Sequence, residues 1–488
     1  MVKIFSYVTL YRAQFLCPTF LCLQWLNTDK LSGDVTMKSK VIIIGGGLSG
    51  VLLAMRLVQC SSGPDVLIVE KNPELLGRGV AYQYDFTHQP LNVVAGGMSL
   101  FPDRPMDFVD WLDANHFKYN HLIEKVSAQE FIPRKIFGDY VLENLERIQH
   151  EAAGRLQIRI DEAISILEGD ALKTVVLASG DALPAHHVIL ALGNFPPADL
   201  FLPNNPVQLN SRYYASPWTD KVYSHIVGDE NILLVGSGLT AVDIVLGLIL
   251  RKFKGKVTLL SRRGRFPLAH DLSQQVFAIS EPDIKHPRKM LLWMRDLIRN
   301  NPDIPWPSIM DGLRPYTKKI WLSWTTEEKS YFLKKIRPYW EIARHRIPEK
   351  SASLLNDMMA MGQLELLKGT ILDATVTDSG INIEYRCEHQ DVQQVFHKVI
   401  NCTGPESNYR KVRFPIVSDL IERGKVKVDE LGLGIKCTPE GRIINGHDKI
   451  EAGLWCIGPM RKAVLWETTA LRELREQASE LAVLLVAD

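Results

Sequence analysis

The chain is poor in the features that mark several common classes of protein. Only seven cysteines occur in 488 residues: Cys17, Cys22, Cys60, Cys387, Cys402, Cys437 and Cys456. They are odd in number, scattered, and form no Cys-x-x-Cys pair. This argues against a disulfide framework, a zinc site and a redox-active dithiol motif, and it fits a reducing, cytoplasmic setting. His88, His270 and His345 are the histidines nearest the motifs below. None has a partner at metal-ligand spacing, so no metal is expected. Charge of one sign is also lacking. Lys and Arg number 57 against 56 Asp and Glu, a net charge of +1, and nothing marks a nucleic-acid or acidic-membrane partner. Long apolar runs are missing too. Phe15 to Leu26 is an apolar stretch of about 12 residues, too short to span a bilayer. Residues 1–37 are expected to be an extension or a mis-called start, with MKSKVIIIGGG from Met37 resembling a native beginning. An export signal and a structural role are the alternatives. There is no low-complexity segment and no short-period repeat.

What is present suits a globular protein of two or three domains, with 46% apolar and 23% charged residues. Val41 to Ile44 is a β-branched run, followed by glycines and an apolar segment from Val51 to Val58. That order reads as strand, tight turn, helix. Val66 to Val69 is a second strand. Residues 131–150 have helical spacing, 156–190 alternate as strands, and 186–192 form a further buried strand. After a Pro- and Asn-rich linker at 194–206 the first pattern recurs. Ile232 to Val235 precedes GSGLTA, then come Val242 to Leu250 and the strand Val257 to Leu260. Residues 285–360 turn helical, 370–400 return to strands, and 467–486 read as a long helix.

Gly45-Gly46-Gly47-Leu48-Ser49-Gly50 satisfies G-x-G-x-x-G between a strand and a helix. Gly45 permits the tight turn, Gly47 lets a pyrophosphate approach the backbone, and Gly50 lets helix pack on strand. The helix N-terminus supplies partial positive charge. Glu70 ends the next strand, 20 residues past Gly50, where an acid accepts ribose hydroxyls. This unit binds a dinucleotide without choosing between FAD and NAD.

The second turn makes the choice. Gly236-Ser237-Gly238-Leu239-Thr240-Ala241 has the G-x-G-x-x-A form, and its second strand ends Ser261-Arg262-Arg263-Gly264-Arg265. Arginine pairs with phosphate, so this end suits the 2′-phosphate of NADPH. An acidic first site and a basic second site point to FAD first and NADPH second.

With these motifs the chain resembles bacterial FAD/NAD(P)-binding proteins, related in layout to flavin-containing and N-hydroxylating monooxygenases. The resemblance rests also on GRGVAY (77–82), LNVVAGGMSLFPDRPMDFVDWL (91–112), FIPRKIFGDYV (131–141), ALGNFPP (191–197), RPYWEIARHRIP (337–348), INCTGP (400–405) and GLWCIGPM through LWETTALRELREQA (453–478). It implies an α/β fold of two Rossmann-like domains. The FAD domain, 38–200 and 371–488, would be split around an NADP domain, 207–370, that carries a helical insert at about 285–360. FAD contacts would come from Gly45, Gly47, Leu48, Ser49, Gly50, Glu70, Lys71, Arg78, Asn92, Gly458 and Thr468. NADPH contacts would come from Gly236, Ser237, Gly238, Thr240, Arg262 and Arg263. Asn92 would reach the flavin ring as a catalytic amide, the alternative being an Asn that satisfies its own turn. The 337–348 segment would be either a lid over the flavin or a helix tying the nucleotide domains by salt bridges. The implied activity is that of a single-component monooxygenase, whose reduced flavin holds O₂ as a C4a-peroxide and hydroxylates a small-molecule substrate. An NADPH-dependent flavin reductase or oxidase, and a non-catalytic nucleotide-binding sensor, are the alternatives. Neither nucleic acid nor integral membrane association is expected, and oligomeric state is left open.

Overall fold

The computed structural model describes residues 39–488 apart from 84–88, 170, 225, 227, 272–275, 281, 283 and 488. The expectations for residues 1–37 and for His88 lie outside the described residues. Among the described residues sixteen strands follow in chain order: β1 (Lys40–Ile44), β2 (Asp65–Glu70), β3 (Leu156–Ile160), β4 (Ala163–Leu167), β5 (Lys173–Leu177), β6 (Ala182–Ala185), β7 (His187–Leu190) and β8 (Tyr213–Tyr214). Then come β9 (Asn231–Val235), β10 (Lys256–Ser261), β11 (Leu364–Val376), β12 (Ile381–Cys387), β13 (Gln390–Phe396), β14 (Lys398–Asn401), β15 (Arg442–Ile444) and β16 (Ile450–Cys456).

The first sheet has the order β15-β16-β7-β1-β2-β3, so both ends of the chain contribute to it. Its strands are parallel except β15. Both faces are covered, which is why β1 reads as an unbroken apolar run. Val41 and Ile43 face one core, beneath the helices Leu48–Gln59, Arg134–Glu151 and Leu471–Ala487. Ile42 and Ile44 face another, shared with the small antiparallel sheet β4-β5-β6 and the helix Pro415–Glu422. This is the period-2 alternation of a strand, buried on both sides.

The second sheet has the order β13-β12-β11-β10-β9-β14-β8. Its parallel part packs the helix Leu239–Leu250 and the helix Glu349–Ala360 on one face through Val242, Val245, Leu355 and Met358. The two sheets do not divide near residue 370. β11 begins as a parallel partner of β10 (Val257 opposite Leu364), then runs on unbroken to pair antiparallel with β12 (Thr370 opposite Arg386). No turn residue interrupts it at 370, so β12, β13 and β14 stay in the second sheet and the chain leaves it only after Asn401.

The chain crosses between sheets twice, after β7 and after β14. The crossing segments meet at an isolated antiparallel bridge between Phe195 and Glu406, and Asn401 Nδ2 donates to Ala198 O at 2.8 Å. Residues 287–344 form five helices whose cluster of Trp321, Trp324, Phe332 and Trp340 also takes in Trp466 from the C-terminal part. Fully burying one such aromatic contributes about 2–3 kcal/mol. No described helix is long and apolar enough to cross a membrane.

Candidate functional site

The first glycine turn is built as its spacing requires. Gly45 has φ +107°, and a Cβ there would stand 2.3 Å from Ala191 O. A Cβ on Gly50 would stand 2.1 Å from Gly45 O and 3.1 Å from Ile43 Cγ2, so only glycine lets the Leu48–Gln59 helix lie this close to β1. Gly47 differs. Its Cβ would meet nothing nearer than Gly79 Cα at 3.4 Å, and Gly79, itself at φ +55°, faces back toward it. Both glycines face a bare slot at the helix N-terminus, the part of the cavity that bound phosphates would need. Both Glu70 oxygens are held by backbone: Gly46 N–H donates to Oε2 at 2.7 Å and Asn72 N–H to Oε1 at 2.9 Å. Each oxygen keeps a lone pair for a ribose hydroxyl.

A cavity of about 430 Å³ runs along this turn. Gly45, Gly47, Leu48, Ser49, Glu70, Lys71 and Arg78 all line it. Arg78 is nearly fully buried, and its Nη2 pairs with Asp139 Oδ1 at 2.8 Å. Lys71 Nζ stands 4.0 Å from the centre of the Phe414 ring. Gly50 lies beneath the helix. Gly458, at φ +82°, adjoins the cavity through Pro459, which lines it. Thr468 is not among the lining residues: its hydroxyl donates to Gly458 O at 2.7 Å and accepts from Gln477 Nε2 at 2.8 Å. The lining residue is its neighbour Thr469. Asn92 also lies outside the lining set, yet its carboxamide makes no hydrogen bond among the described residues, so it does not satisfy its own turn. Sequence reasoning passed over Gly79, Trp218 and Phe414, which line the cavity too, as does Gly193 of the ALGN segment. The close Gly77 and Gly79 pair in GRGVAY was the available signal for the first of them.

The second turn repeats the first. Gly236 has φ +117°, and a Cβ on it would stand 2.4 Å from Cys402 O, as Gly45 stands to Ala191. The residues after those two carbonyls are the Leu-Gly and Thr-Gly of ALGN and NCTG, where the chain leaves each sheet. A Cβ on Gly238 would meet nothing within 4 Å. Ser261 takes the place that Glu70 has in the first sheet. Its Oγ accepts from Gly264 N–H at 3.0 Å and lies 2.9 Å from Ser237 Oγ, which in turn donates to Arg265 O at 2.6 Å. Thr240 sits in the first turn of the helix that follows. Arg262 and Arg263 are exposed, while Arg265 stacks on the ring of Tyr339 at 4.2 Å. Among the described residues no group of three or more His, Cys, Asp or Glu side chains is placed to hold a metal ion.

The model of a family described as FAD-NAD(P)-binding matches residues 42–195. Residues 42–195 are an FAD/NAD(P)-binding domain. No curated protein matches the chain. Solved structures match over nearly all of it. Ornithine hydroxylase from Pseudomonas aeruginosa is 17% identical, with 92% of this chain and 99% of that one covered and a TM-score of 0.61. Ornithine N-hydroxylase from Kutzneria sp. 744, in a structure titled with reduced FAD, NADP⁺ and L-ornithine, is 14% identical over the same shares, with a TM-score of 0.63. Bacillithiol disulfide reductase from Staphylococcus aureus is 13% identical over 93% of this chain and 99% of that one, with a TM-score of 0.55. At such identities the likeness is one of fold.

The FAD/NAD(P)-binding domain meets the second unit at the helix after the glycine turn and at His270. Arg134 Nη2 lies 3.3 Å from Asp243 Oδ2 on the Leu239–Leu250 helix. Burial pushes the Asp243 carboxyl up, and Arg134 opposes the shift. His270 donates from Nε2 to Asn92 O at 2.9 Å and lies against the Phe131 ring. Burial is the main reason its ring titrates below the usual value, with Arg346 adding to it. In the 337–348 segment, Arg344 grips Glu467 with two nitrogens and Arg346 pairs with Asp311. The geometry of this segment is that of a helix tied down by salt bridges.

Proposed function

We propose that this protein is an FAD-dependent, NADPH-using single-component monooxygenase that hydroxylates a small molecule, with an amine nitrogen as the favoured class of target. The observation that carries the reading is the matched pair of glycine turns, one closed by Glu70 and the other open beside Arg262 and Arg263. FAD would be held by the Gly45–Ser49 turn, Gly79 and Glu70, with Pro459 and Thr469 at the far end of the cavity. NADPH would be held at Gly236, Ser237, Gly238 and Thr240, with the two exposed arginines reaching its 2′-phosphate. When bound, the two cofactors supply hydride transfer and the activation of O₂. The protein's part is orientation: the helix N-termini fix the phosphates, and the crossing segments at Phe195 and Glu406 fix how the two turns face each other. Asn92, with an unengaged carboxamide, is the residue proposed to bond the flavin edge.

Whole-length likeness in fold to two ornithine hydroxylases supports this reading. Likeness to a disulfide reductase favours a second, in which electrons leave to another acceptor. Against it, no cysteine lines the cavity among the described residues. The described cysteines are all free thiols. The test is NADPH oxidation by the purified flavoprotein across a panel of amines and amino acids, with hydroxylated product and peroxide both measured. Stimulation by one compound together with its hydroxylated product supports a monooxygenase. NADPH oxidation that no compound stimulates, with all electrons recovered as peroxide, supports the reductase or oxidase.

A further inference from the structure

Where the C-terminal segment returns to the cavity, its backbone takes an unusual course. Trp466 has φ +61° and ψ −64°, and Glu467 N–H donates to Leu465 O at 2.8 Å. This is the γ-turn with positive φ at its centre, a rare and strained conformation. Trp466 is the one Trp, Tyr or Phe among the described residues with a positive φ. Such a turn persists only where its surroundings over-determine it.

Two sets of contacts from the helical insert do so. The ring of Trp466 stacks on Trp321, with centroids 4.9 Å apart and planes at 28°, and meets Phe332 edge-on at 5.1 Å. Trp321 is itself fixed, its Nε1–H donating to Ala463 O at 2.9 Å. The next residue, Glu467, is clamped by Arg344. Nε lies 3.1 Å from Oε1, Nη2 lies 3.1 Å from Oε2, and both side chains are about seven-eighths buried. On the cavity side, Thr468 is bound to Gly458 O and Gln477, while Gln477 Oε1 accepts from Gly458 N–H at 2.9 Å. Thr469 and Pro459 then line the cavity. The strained turn therefore stands between the helical insert and the part of the cavity wall made by Pro459 and Thr469.

We infer that Arg344 and Trp321 are positioning residues for that cavity: by gripping Glu467 and the Trp466 ring they hold the γ-turn that sets where Thr468 and Thr469 stand. The inference rests on FAD occupying the cavity. If the clamp is released, Trp466 relaxes to a negative φ, which redirects the chain after it and pulls on the Thr468–Gly458–Gln477 contacts. The helical insert, far from the glycine turns in sequence, thereby acts on the flavin end of the site.

The experiment compares wild type, Arg344→Ala, Arg344→Lys and Trp321→Phe. It reads FAD content, the visible circular dichroism of bound flavin, and the anaerobic rate of flavin reduction by NADPH per bound flavin. The inference expects Arg344→Ala to alter the dichroism and to slow reduction by about 10- to 100-fold, the scale of a misplacement near 1 Å. Arg344→Lys should recover part of both, because lysine keeps the charge and loses the fork. Loss of flavin in Arg344→Ala with its return in Arg344→Lys counts for the inference, and loss in both counts against it. Unchanged dichroism and rate per flavin in Arg344→Ala overturn it, whatever happens to the melting temperature. A wild type without flavin sinks the reading of the cavity, and this inference with it. Trp321→Phe, which keeps a ring against Trp466, should show a smaller change of the same kind, and no change there while Arg344→Ala responds removes Trp321 from the device.

Discussion

Arg134 and Asp243 join the two glycine-turn units through an ion pair 3.3 Å long, with the arginine opening the Arg134–Glu151 helix and the aspartate one turn into the helix after Gly238. Arg134 also donates from Nε to Pro90 O at 3.2 Å. Burial pushes the Asp243 carboxyl up, so the arginine is what favours its charged form. Removing one partner of a fully buried pair costs about 3–5 kcal/mol. Both side chains here keep some exposure, so Arg134→Ala should cost about 2–3 kcal/mol. Adding Asp243→Asn should recover most of that. Urea unfolding of the single and double variants checks it, and equal losses in the two would show that the pair is not coupled.

The glycines of the first turn should separate stability from binding. Gly45→Ala places a methyl 2.3 Å from Ala191 O at a φ of +107°, so it should destabilise the chain by well over about 1 kcal/mol and lower soluble yield. Gly47→Val brings its Cβ to 3.4 Å from Gly79 Cα, with φ unstrained, and should cost less stability than Gly45→Ala. It fills the slot proposed for the pyrophosphate, however, so flavin absorbance should be lost. A folded Gly47→Val protein with full flavin content would remove that slot from the site.

These contrasts mark what was legible in the sequence. The strand–turn–helix units were readable because much of what specifies them is local or lies in the next strand: Gly50 against Gly45, Glu70 against Gly46. The crossing after ALGN was readable from the Pro- and Asn-rich linker that follows it. The division near 370 was not, because β11 changes partner from β10 to β12 without any turn residue to announce it. Nor was the choice between Thr468 and Thr469. Which of two adjacent threonines lines the cavity depends on the backbone at Trp466, and that is held by Trp321 and Arg344, more than 120 residues away. The slot opposite Gly47 depended likewise on Gly79, whose role no local pattern states.

His270 gives a pH dependence whose direction can be stated. Its ring is held below the ordinary histidine value, first by burial and then by Arg346, against the opposing bond to Asn92 O. In the unfolded chain it titrates near about 6.5. As pH falls through that value the unfolded chain takes up a proton that the folded protein still refuses, so stability falls until the lowered folded value is reached. Denaturant titrations between pH 7.5 and 5.5 (chosen to bracket about 6.5) should show wild type losing stability toward acid. His270→Gln should lose less over the same interval. Equal slopes in the two proteins would assign the acid sensitivity to other groups.

The choice of nicotinamide should lie with Arg262 and Arg263. Both are exposed and follow β10. Ser261 ends that strand where Glu70 ends β2, and its hydroxyl is already engaged with Gly264 and Ser237, so it adds no carboxylate to repel a phosphate. Gly264, at φ +57°, turns the chain immediately after the two arginines. A charge-assisted arginine–phosphate bond contributes about 1.5–3 kcal/mol. With two exposed contacts that do not fully add, the preference for NADPH over NADH should be roughly 10- to 1000-fold, since 1.36 kcal/mol is tenfold. Replacing both by Ala should raise the KM for NADPH by most of that factor and leave the KM for NADH nearly unchanged. Flavin content should stay at the wild-type level, because the Gly45–Gly50 turn lies in the other sheet. Raised salt should weaken NADPH binding in wild type more than in the variant, since exposed charge pairs are screened. If wild type takes NADH and NADPH equally, or the double variant loses both alike, these arginines do not read the 2′-phosphate, and the basic end of β10 serves only as a solvated loop.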